Sequence, residues 1–109
     1  MAKHEFGIMP NEPNPHTIYT EYDPQKYNCI GVDDDSIEKI VPLLNRIDFY
    51  WHSLDVPNKG IAYTGITLIP PTSIAPFMAG IENTSEFREL KALLEKALSE
   101  NKWVIHFGL

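Results

Sequence analysis

The chain has 109 residues, the length of one domain, and its 43% hydrophobic and 22% charged residues are typical of a globular protein, which excludes a fully disordered chain. Fifteen Asp and Glu against nine Lys and Arg give a net charge of −6 without any basic cluster, so neither a nucleic acid nor an acidic membrane surface is expected as a partner. No apolar run approaches the roughly 20 residues of a membrane span, and the single cysteine, Cys29, indicates a protein of the reducing cytoplasm.

The first 26 residues predict a short strand followed by an irregular arm. Residues 5–9 have the apolar content of a strand. Four prolines fall within residues 10–26, and because proline fixes φ and lacks an amide donor, this proline-rich segment is predicted to be an arm or loop of a single domain, residues 1–109. Its aromatic residues Tyr19 and Tyr22 predict that the arm packs against the rest of the domain.

An acidic run separates a predicted strand from a predicted helix. Residues 27–32 are predicted as the strand, and after residues 33–35, which are all Asp, apolar residues recur at helical spacing. These apolar residues are Ile37, Ile40, Val41, Leu44 and Ile47. Asp35 followed by Glu38 resembles a capping box, and the alternating oxygen ligands of a calcium loop are missing, so the run is predicted to cap the helix and to bind no metal. Pro42 predicts a kink or a break in this helix.

A hairpin is the clearest local prediction. Residues 48–54 and 61–69 are rich in aromatic and β-branched residues, and residues 57–60 between them end in glycine, so we expect two antiparallel strands with their turn at residues 57–60. Two prolines end the second strand, and a short apolar helix is predicted to begin at Thr72 or Ser73.

Residues 83–101 form the most regular predicted helix, with one apolar stripe between acidic residues at its start and lysines near its end. Residues 103–107 follow as a nearly continuous apolar strand, which predicts an interior position in the sheet. The element order β-β-α-β-β-α-α-β therefore predicts an α+β domain. Its mainly antiparallel sheet would have four or five strands, with the helices packed on one face.

Alternation along the strands predicts which side chains share a face. With the turn at residues 57–60, Trp51 opposes Ile66. Phe49 then opposes Leu68, and all four are predicted to face the helices. The second face is predicted to carry the candidate ligand-binding residues Tyr50, His52, Tyr63, Thr67, His106 and Cys29. Three interpretations of that face are open: a groove for a small molecule or peptide centred on His52, a surface for self-association, or a face covered by the proline-rich arm.

No motif in the sequence names a reaction. A cysteine within a strand is more often an inert apolar residue than a nucleophile, the four histidines lack the short spacing of metal ligands, and no glycine-rich loop precedes a helix. No catalytic residue, metal or cofactor is therefore expected. The sequence favours a non-enzymatic, acidic module that binds a protein or a small molecule. The alternative is a small enzyme that uses Tyr50, His52 and His106 for general acid–base chemistry.

The strand sequences also bear on the oligomeric state. Residues 27–32 and 103–107 contain no Lys, Glu or Asp that would protect a sheet edge from pairing with another chain. An isologous dimer would cover an edge or an apolar face with the same patch from each copy. The sequence therefore predicts a homodimer that uses the face of Tyr50 and Tyr63 or a sheet edge.

Several blocks of sequence resemble a family of small uncharacterised bacterial proteins. The blocks are residues 1–9 (MAKHEFGIM), 48–52 (DFYWH), 54–57 (LDVP) with 59–60 (KG), 65–71 (GITLIPP) and 104–108 (VIHFG). The resemblance covers most of the chain. It implies a bacterial cytoplasmic origin, and it implies no activity, ligand or site residue.

Overall fold

The computed structural model describes residues 2–81 and 83–109, and over these residues the chain forms six strands and three α-helices. The strands are β1 (Lys3–Ile8), β2 (Ile30–Asp33), β3 (Asp48–Trp51), β4 (Pro57–Lys59), β5 (Ile66–Ile69) and β6 (Val104–Phe107). The helices are α1 (Asp34–Leu44), α2 (Pro71–Ala79) and α3 (Arg88–Ser99), and 3-10 turns cover Pro24–Tyr27 and Ser85–Phe87. The α+β class is confirmed, with one strand more than expected.

The paired strands are all antiparallel and follow the order β2-β1-β6-β5-β3-β4. β6 lies between β1 and β5, which confirms the interior position predicted from its apolar sequence. In this register Phe6 and Thr67 flank His106 on the two neighbouring strands. The three central strands therefore bring residues that are far apart in the sequence into lateral contact.

The hairpin register differs from the prediction by one residue. Trp51 lies opposite Thr67, whereas the sequence predicted Ile66 at that position. Because successive side chains of a strand point to opposite faces, this shift exchanges the two faces of β5. Ile66 and Leu68 consequently lie on the face away from the helices, and Phe49 packs beneath the helices as predicted.

The error comes from the position of the turn. The chain turns at residues 52–56 rather than at residues 57–60, because β4 itself pairs with β3. Gly60 follows β4 with a φ of +84°, and a Cβ at this position would lie 2.5 Å from Asn45 Oδ1, so glycine is required here. Residues 61–65 then lead to β5 on the other side of β3.

α1 begins directly after β2, with Asp33 in the N-cap position and Asp34 and Asp35 in its first turn. The predicted capping box of Asp35 and Glu38 is wrong, because the N-cap is Asp33, two residues earlier, and Asp33 makes no side-chain hydrogen bond as the cap. The carboxylates nevertheless lie at the positive end of the helix dipole. Pro42 lies inside α1, which neither ends nor restarts there.

The helices pack on one face of the sheet and enclose the larger hydrophobic core. Its fully buried side chains include Phe6, Ile37, Leu44, Phe49, Ile69, Ile74, Phe77, Leu90 and Leu94. Burying each such side chain favours folding by about 1.5–3 kcal/mol before entropic costs, so this face supplies most of the driving force for folding. Among the described residues, none of the helices has the length and apolar character needed to cross a membrane.

The proline-rich arm covers much of the opposite face, which forms a second, smaller core. Met9, Ile66, Leu68, Ile105 and Phe107 are buried there, with Tyr19, Tyr27, Cys29, Tyr50, Leu54 and Trp103 packed against them. Tyr19 anchors the arm, because its N–H donates to the carbonyl of His52 at 2.6 Å. Of the three interpretations of this face, cover by the arm is correct for the part of the sheet that these residues occupy.

Candidate functional site

The six candidate residues lie on two different sides of the sheet. The structure places Tyr50, Cys29 and His52 on the arm side, and Tyr63, Thr67 and His106 on the helix side. A site that combines Tyr50, His52 and His106 is therefore ruled out, since His106 is fully buried beneath the helices. Tyr50 and Tyr63 lie on opposite sides of the sheet, so they do not share one surface. Thr67 lies on the helix side because of the shift in the hairpin register. His106 lies there because it is two residues from Val104, which also faces the helices.

The helix-side residues belong to a continuous chain of hydrogen bonds at the centre of the sheet. His4 Nε2 lies 2.9 Å from Asp34 Oδ1, and His4 Nδ1 lies 2.9 Å from His106 Nε2. His106 Nδ1 lies 3.0 Å from Thr67 Oγ1, which also accepts the N–H of Ala62 at 2.8 Å. We call Asp34, His4, His106 and Thr67 the histidine chain. Its last three members are fully buried.

One arrangement of protons satisfies every group of the histidine chain with both imidazoles neutral. Thr67 donates its hydroxyl proton to His106 Nδ1, and its oxygen accepts the N–H of Ala62. His106 Nε2–H then donates to His4 Nδ1, and His4 Nε2–H donates to the Asp34 carboxylate. Two N–H groups cannot face each other across 2.9 Å, so the gap between the rings holds a single proton.

The protonation of the two ends follows from their surroundings. Burial, and then the proximity of His4, lowers the pKa of His106 to about 3, so this ring is neutral at pH 7. Hydrogen bonds from Tyr63 and then from His4 lower the pKa of Asp34, which keeps its carboxylate ionised. Donation to Asp34 raises the pKa of Tyr63, so its hydroxyl acts as a donor and not as a base. The histidine chain therefore ties β1, β6, β5 and α1 together and is closed to a substrate.

His4 was not recognised as part of this arrangement from the sequence. The prediction begins the first strand at residue 5, which leaves the side chain of His4 without an assigned face. Alternation with Phe6 is the signal that identifies it, because both residues of β1 then face the helices. The sequence likewise assigned Asp34 only to the start of a helix, and its two long-range donors could not be recognised from local spacing.

A pocket of about 580 Å³ lies on the arm side, where the three central strands meet the segment that follows β3. It is lined by Ala2, Lys3, Glu5, Thr20, Tyr22, His52, Thr64, Gly65, Ile66, Phe107, Gly108 and Leu109. Phe107 forms its floor, flanked on the neighbouring strands by Glu5 and Ile66. The pocket is mostly apolar and has a size typical of sites for small ligands.

His52 is the side chain that the fold holds most firmly in this pocket. Its φ of +64° is left-handed, which histidine tolerates better than most residues. Its backbone N–H donates to the Ile66 carbonyl at 3.0 Å, and its own carbonyl accepts the N–H of Tyr19. Its Nδ1 lies 3.2 Å from the Tyr19 carbonyl oxygen. Because a carbonyl oxygen can only accept, Nδ1 carries a proton, and in the neutral imidazole Nε2 then presents a lone pair.

Gly65 makes room for the free edge of this ring. A Cβ at position 65 would lie 2.7 Å from Nε2 and 2.8 Å from Cε1 of His52, closer than side-chain atoms approach one another. Glycine between strand segments lets another group come close to the backbone, and here that group is the imidazole of His52.

The wall formed by the arm is joined to β1 by Tyr22. Its hydroxyl donates to the carboxylate of Glu5, and this hydrogen bond is the main cause that raises the pKa of Tyr22. The ring of Tyr22 stands edge-on to Phe107 with centroids 5.5 Å apart, a favourable aromatic geometry. Tyr22 is nevertheless 65% exposed, so its side chain is in contact with solvent at this wall of the pocket.

A second cavity of about 700 Å³ lies between Tyr50, Trp103 and the start of α2. Its charged lining residues, Glu12, Arg46 and Asp48, are exposed, and its buried hydroxyl, Ser73, already donates to the carbonyl of Asp48. It lacks a positioned side chain comparable to His52, so the 580 Å³ pocket is the better candidate site. Across residues 2–81 and 83–109, no group of three or more His, Cys, Asp and Glu side chains is placed to hold a metal ion.

Comparisons with protein-family models, with curated proteins and with solved structures found no match to this chain. The function is therefore inferred from the geometry and chemistry of the pocket and of the histidine chain.

Proposed function

We propose that the protein is a binding module for a small, largely apolar molecule, which it holds in the pocket beside His52. The observation that carries this proposal is the combination of an apolar floor with one firmly held polar group. Ligand sites have this composition, because apolar contacts supply most of the affinity and a few placed polar groups supply orientation. The arm, which packs on another part of the same face through Tyr19, borders this pocket through Thr20 and Tyr22.

A binding function fits the pocket better than catalysis. General acid–base chemistry on one substrate needs a second titratable group within hydrogen-bond reach of the reacting atoms. The carboxylate of Glu5 lines the pocket, and it already accepts the hydroxyl of Tyr22. The other pair of histidines is fully buried on the opposite face of the sheet. The pocket thus offers His52 as a recognition group rather than as half of a catalytic pair.

An NMR titration of the ¹⁵N-labelled protein with indole tests this function. Indole fits the apolar floor, and a molecule of its size is expected to bind with a dissociation constant of about 1 mM. The largest shifts should fall on the amides of Gly65, Ile66, Phe107 and Gly108 and should saturate.

Two matched variants locate the site. Thr64→Trp places an aromatic ring at the pocket and should weaken indole binding by about tenfold. Thr72→Trp makes the same change at an exposed threonine of the second cavity and should leave the affinity unchanged. The proposal fails if indole causes no saturable shifts, or if only Thr72→Trp weakens the binding.

Self-association is a second proposed function, favoured by apolar side chains at the rim of the pocket. Tyr22 and Leu109 are 65% and 46% exposed there, and isologous pairing would cover them. Sedimentation equilibrium at tens of micromolar protein should give about twice the chain mass of 12.4 kDa, and Tyr22→Ser should lower that value. A mass of one chain for the parent protein would exclude the homodimer.

The resemblance to small bacterial proteins and the lone cysteine together support a further proposal, that the acidic chain acts in a bacterial cytoplasm. Fractionation of the source cells tests it, since the protein should be recovered with the cytoplasmic fraction. Recovery with the membranes or outside the cell would contradict it.

A further inference from the structure

We infer that the pocket selects ligands that carry an N–H or O–H donor on a compact ring, because its firmly held polar group is a hydrogen-bond acceptor. This inference rests on the proposed binding function and names the class of ligand. The acceptor is Nε2 of His52, whose lone pair is set by the neighbouring bond from Nδ1 to the Tyr19 carbonyl.

The position of the acceptor is determined by three hydrogen bonds. The N–H and the carbonyl of His52 bond to Ile66 and Tyr19, and its Nδ1 bonds to Tyr19 again. The imidazole therefore rotates little, and its Nε2 edge lies over Gly65 at the pocket wall. A preorganised acceptor costs little entropy when a donor binds, so it contributes directly to selectivity.

The other polar groups of the pocket do not compete with His52 as selective contacts. Lys3 is exposed, and its long side chain loses rotamer freedom on binding. The hydroxyl of Tyr22 is engaged by Glu5, whose carboxylate is a second acceptor and opposes an anionic ligand. His52 and Glu5 thus both favour a ligand with a hydrogen-bond donor, and neither favours a ligand with a carboxylate or a phosphate.

The floor of the pocket indicates the shape of the ligand. Phe107 lies beneath the pocket with only 2% of its surface exposed, and the exposed ring of Tyr22 stands edge-on to it at 5.5 Å. A planar ring that packs against Tyr22 would gain the same kind of aromatic contact. Phenols, indoles and similar heteroaromatic N–H compounds combine this shape with the required donor.

Indole and 1-methylindole form the decisive pair of probes, since they differ in one N–H replaced by N–CH₃. The unmodified protein should bind indole about tenfold more tightly than 1-methylindole, a preference that corresponds to one hydrogen bond within the apolar pocket. In His52→Asn the preference should fall to about one, because asparagine tolerates the left-handed backbone but is too short to replace Nε2. His16→Asn, at an exposed histidine of the arm, should retain the full preference.

The possible outcomes separate the two proposals. Equal affinity for both probes, with shifts at the pocket, would overturn the donor requirement and leave the binding function standing. A preference that persists in His52→Asn would overturn the role of His52. If neither probe binds, the binding function fails and the donor requirement fails with it. The comparison of two probes on the unmodified protein needs no variant, so it stands even if His52→Asn does not fold.

Discussion

Acidification from pH 7 to pH 5 should destabilise the native protein through His106, a fully buried member of the histidine chain. Its pKa is about 3 in the folded protein, whereas an unperturbed histidine has a value of 6.5. Between these two values the unfolded chain binds a proton that the folded protein refuses. The contribution of the neutral His106 ring to the stability of the fold is therefore fully present above about pH 6.5 and is lost as the pH falls toward 3.

The size of the effect follows from proton linkage. Each pH unit well inside the window costs about 1.4 kcal/mol, and integration from pH 7 to pH 5 gives a loss of about 2 kcal/mol in the free energy of unfolding. The gap of 2.9 Å between the rings of His106 and His4 holds one proton, so His106 has no free acceptor on that side for a further proton. This interval lies above the titration range of ordinary carboxyl groups, so their contribution is small.

Urea unfolding at pH 7 and at pH 5 measures this loss directly. In His106→Gln the loss of unfolding free energy between pH 7 and pH 5 should be smaller by about 2 kcal/mol. The variant will be less stable than the parent protein at both pH values, because Thr67 and His4 lose a hydrogen-bond partner. His16→Gln, at an exposed histidine, should behave like the parent protein. If His106→Gln does not fold, NMR titration of the His106 ring in the parent protein replaces it. Protonation of that ring above pH 5 would refute the reasoning.

Three further predictions concern other parts of the fold. Gly60→Ala should lower the free energy of unfolding in urea by more than about 1 kcal/mol, because φ is +84° and Asn45 blocks the methyl group. Gly31→Ala, whose methyl group meets only the Lys3 side chain, should lower it less, and similar losses in the two variants would contradict this prediction. Burial raises the pKa of Cys29 to about 12, so iodoacetamide at pH 8 should alkylate the native thiol roughly a thousandfold more slowly than the denatured one, and equal rates would contradict it. Tyr63→Phe should raise the pKa of Asp34 toward its ordinary value in a carboxyl NMR titration, since the strongest donor to that carboxylate is removed; an unchanged pKa would show that the hydrogen bond is absent.

The elements with a single strong local signal could be predicted from the sequence. The apolar stripe of α3 predicts a helix and the continuous apolar run of β6 predicts a strand, and both elements are present. The acidic start of α1 was also recognised, although its N-cap, Asp33, lies two residues earlier than the predicted Asp35. In each of these elements, hydrophobic periodicity and the charge at helix ends agree with the final packing.

The topology of β3, β4 and β5 could not be predicted from local signals. The turn sequence that ends in Gly60 is typical of a hairpin, but the structure uses it to close an outer strand of three residues. That strand contains a proline and is exposed along its length, so it lacks the apolar alternation that identifies strands. One unrecognised strand moved the turn and shifted the register, and the shift placed Thr67 on the wrong face.

The candidate site was predicted only in part. His52 was predicted to lie on the side of the sheet away from the helices, and the structure places it there, at the wall of the pocket. The partners that give His52 its acceptor edge lie in the arm and in β5, more than ten residues away in sequence. Hydrogen bonds between such distant segments depend on the fold as a whole.

A crystal structure of the protein soaked with indole tests the central claim most directly. We predict indole on the floor formed by Phe107, with its N–H about 3 Å from Nε2 of His52. The Tyr19 carbonyl should still accept the proton on Nδ1, which would show that the arm sets the tautomer. Indole bound between Tyr50 and Trp103, or bound beside Phe107 with its N–H turned away from His52, would contradict the account.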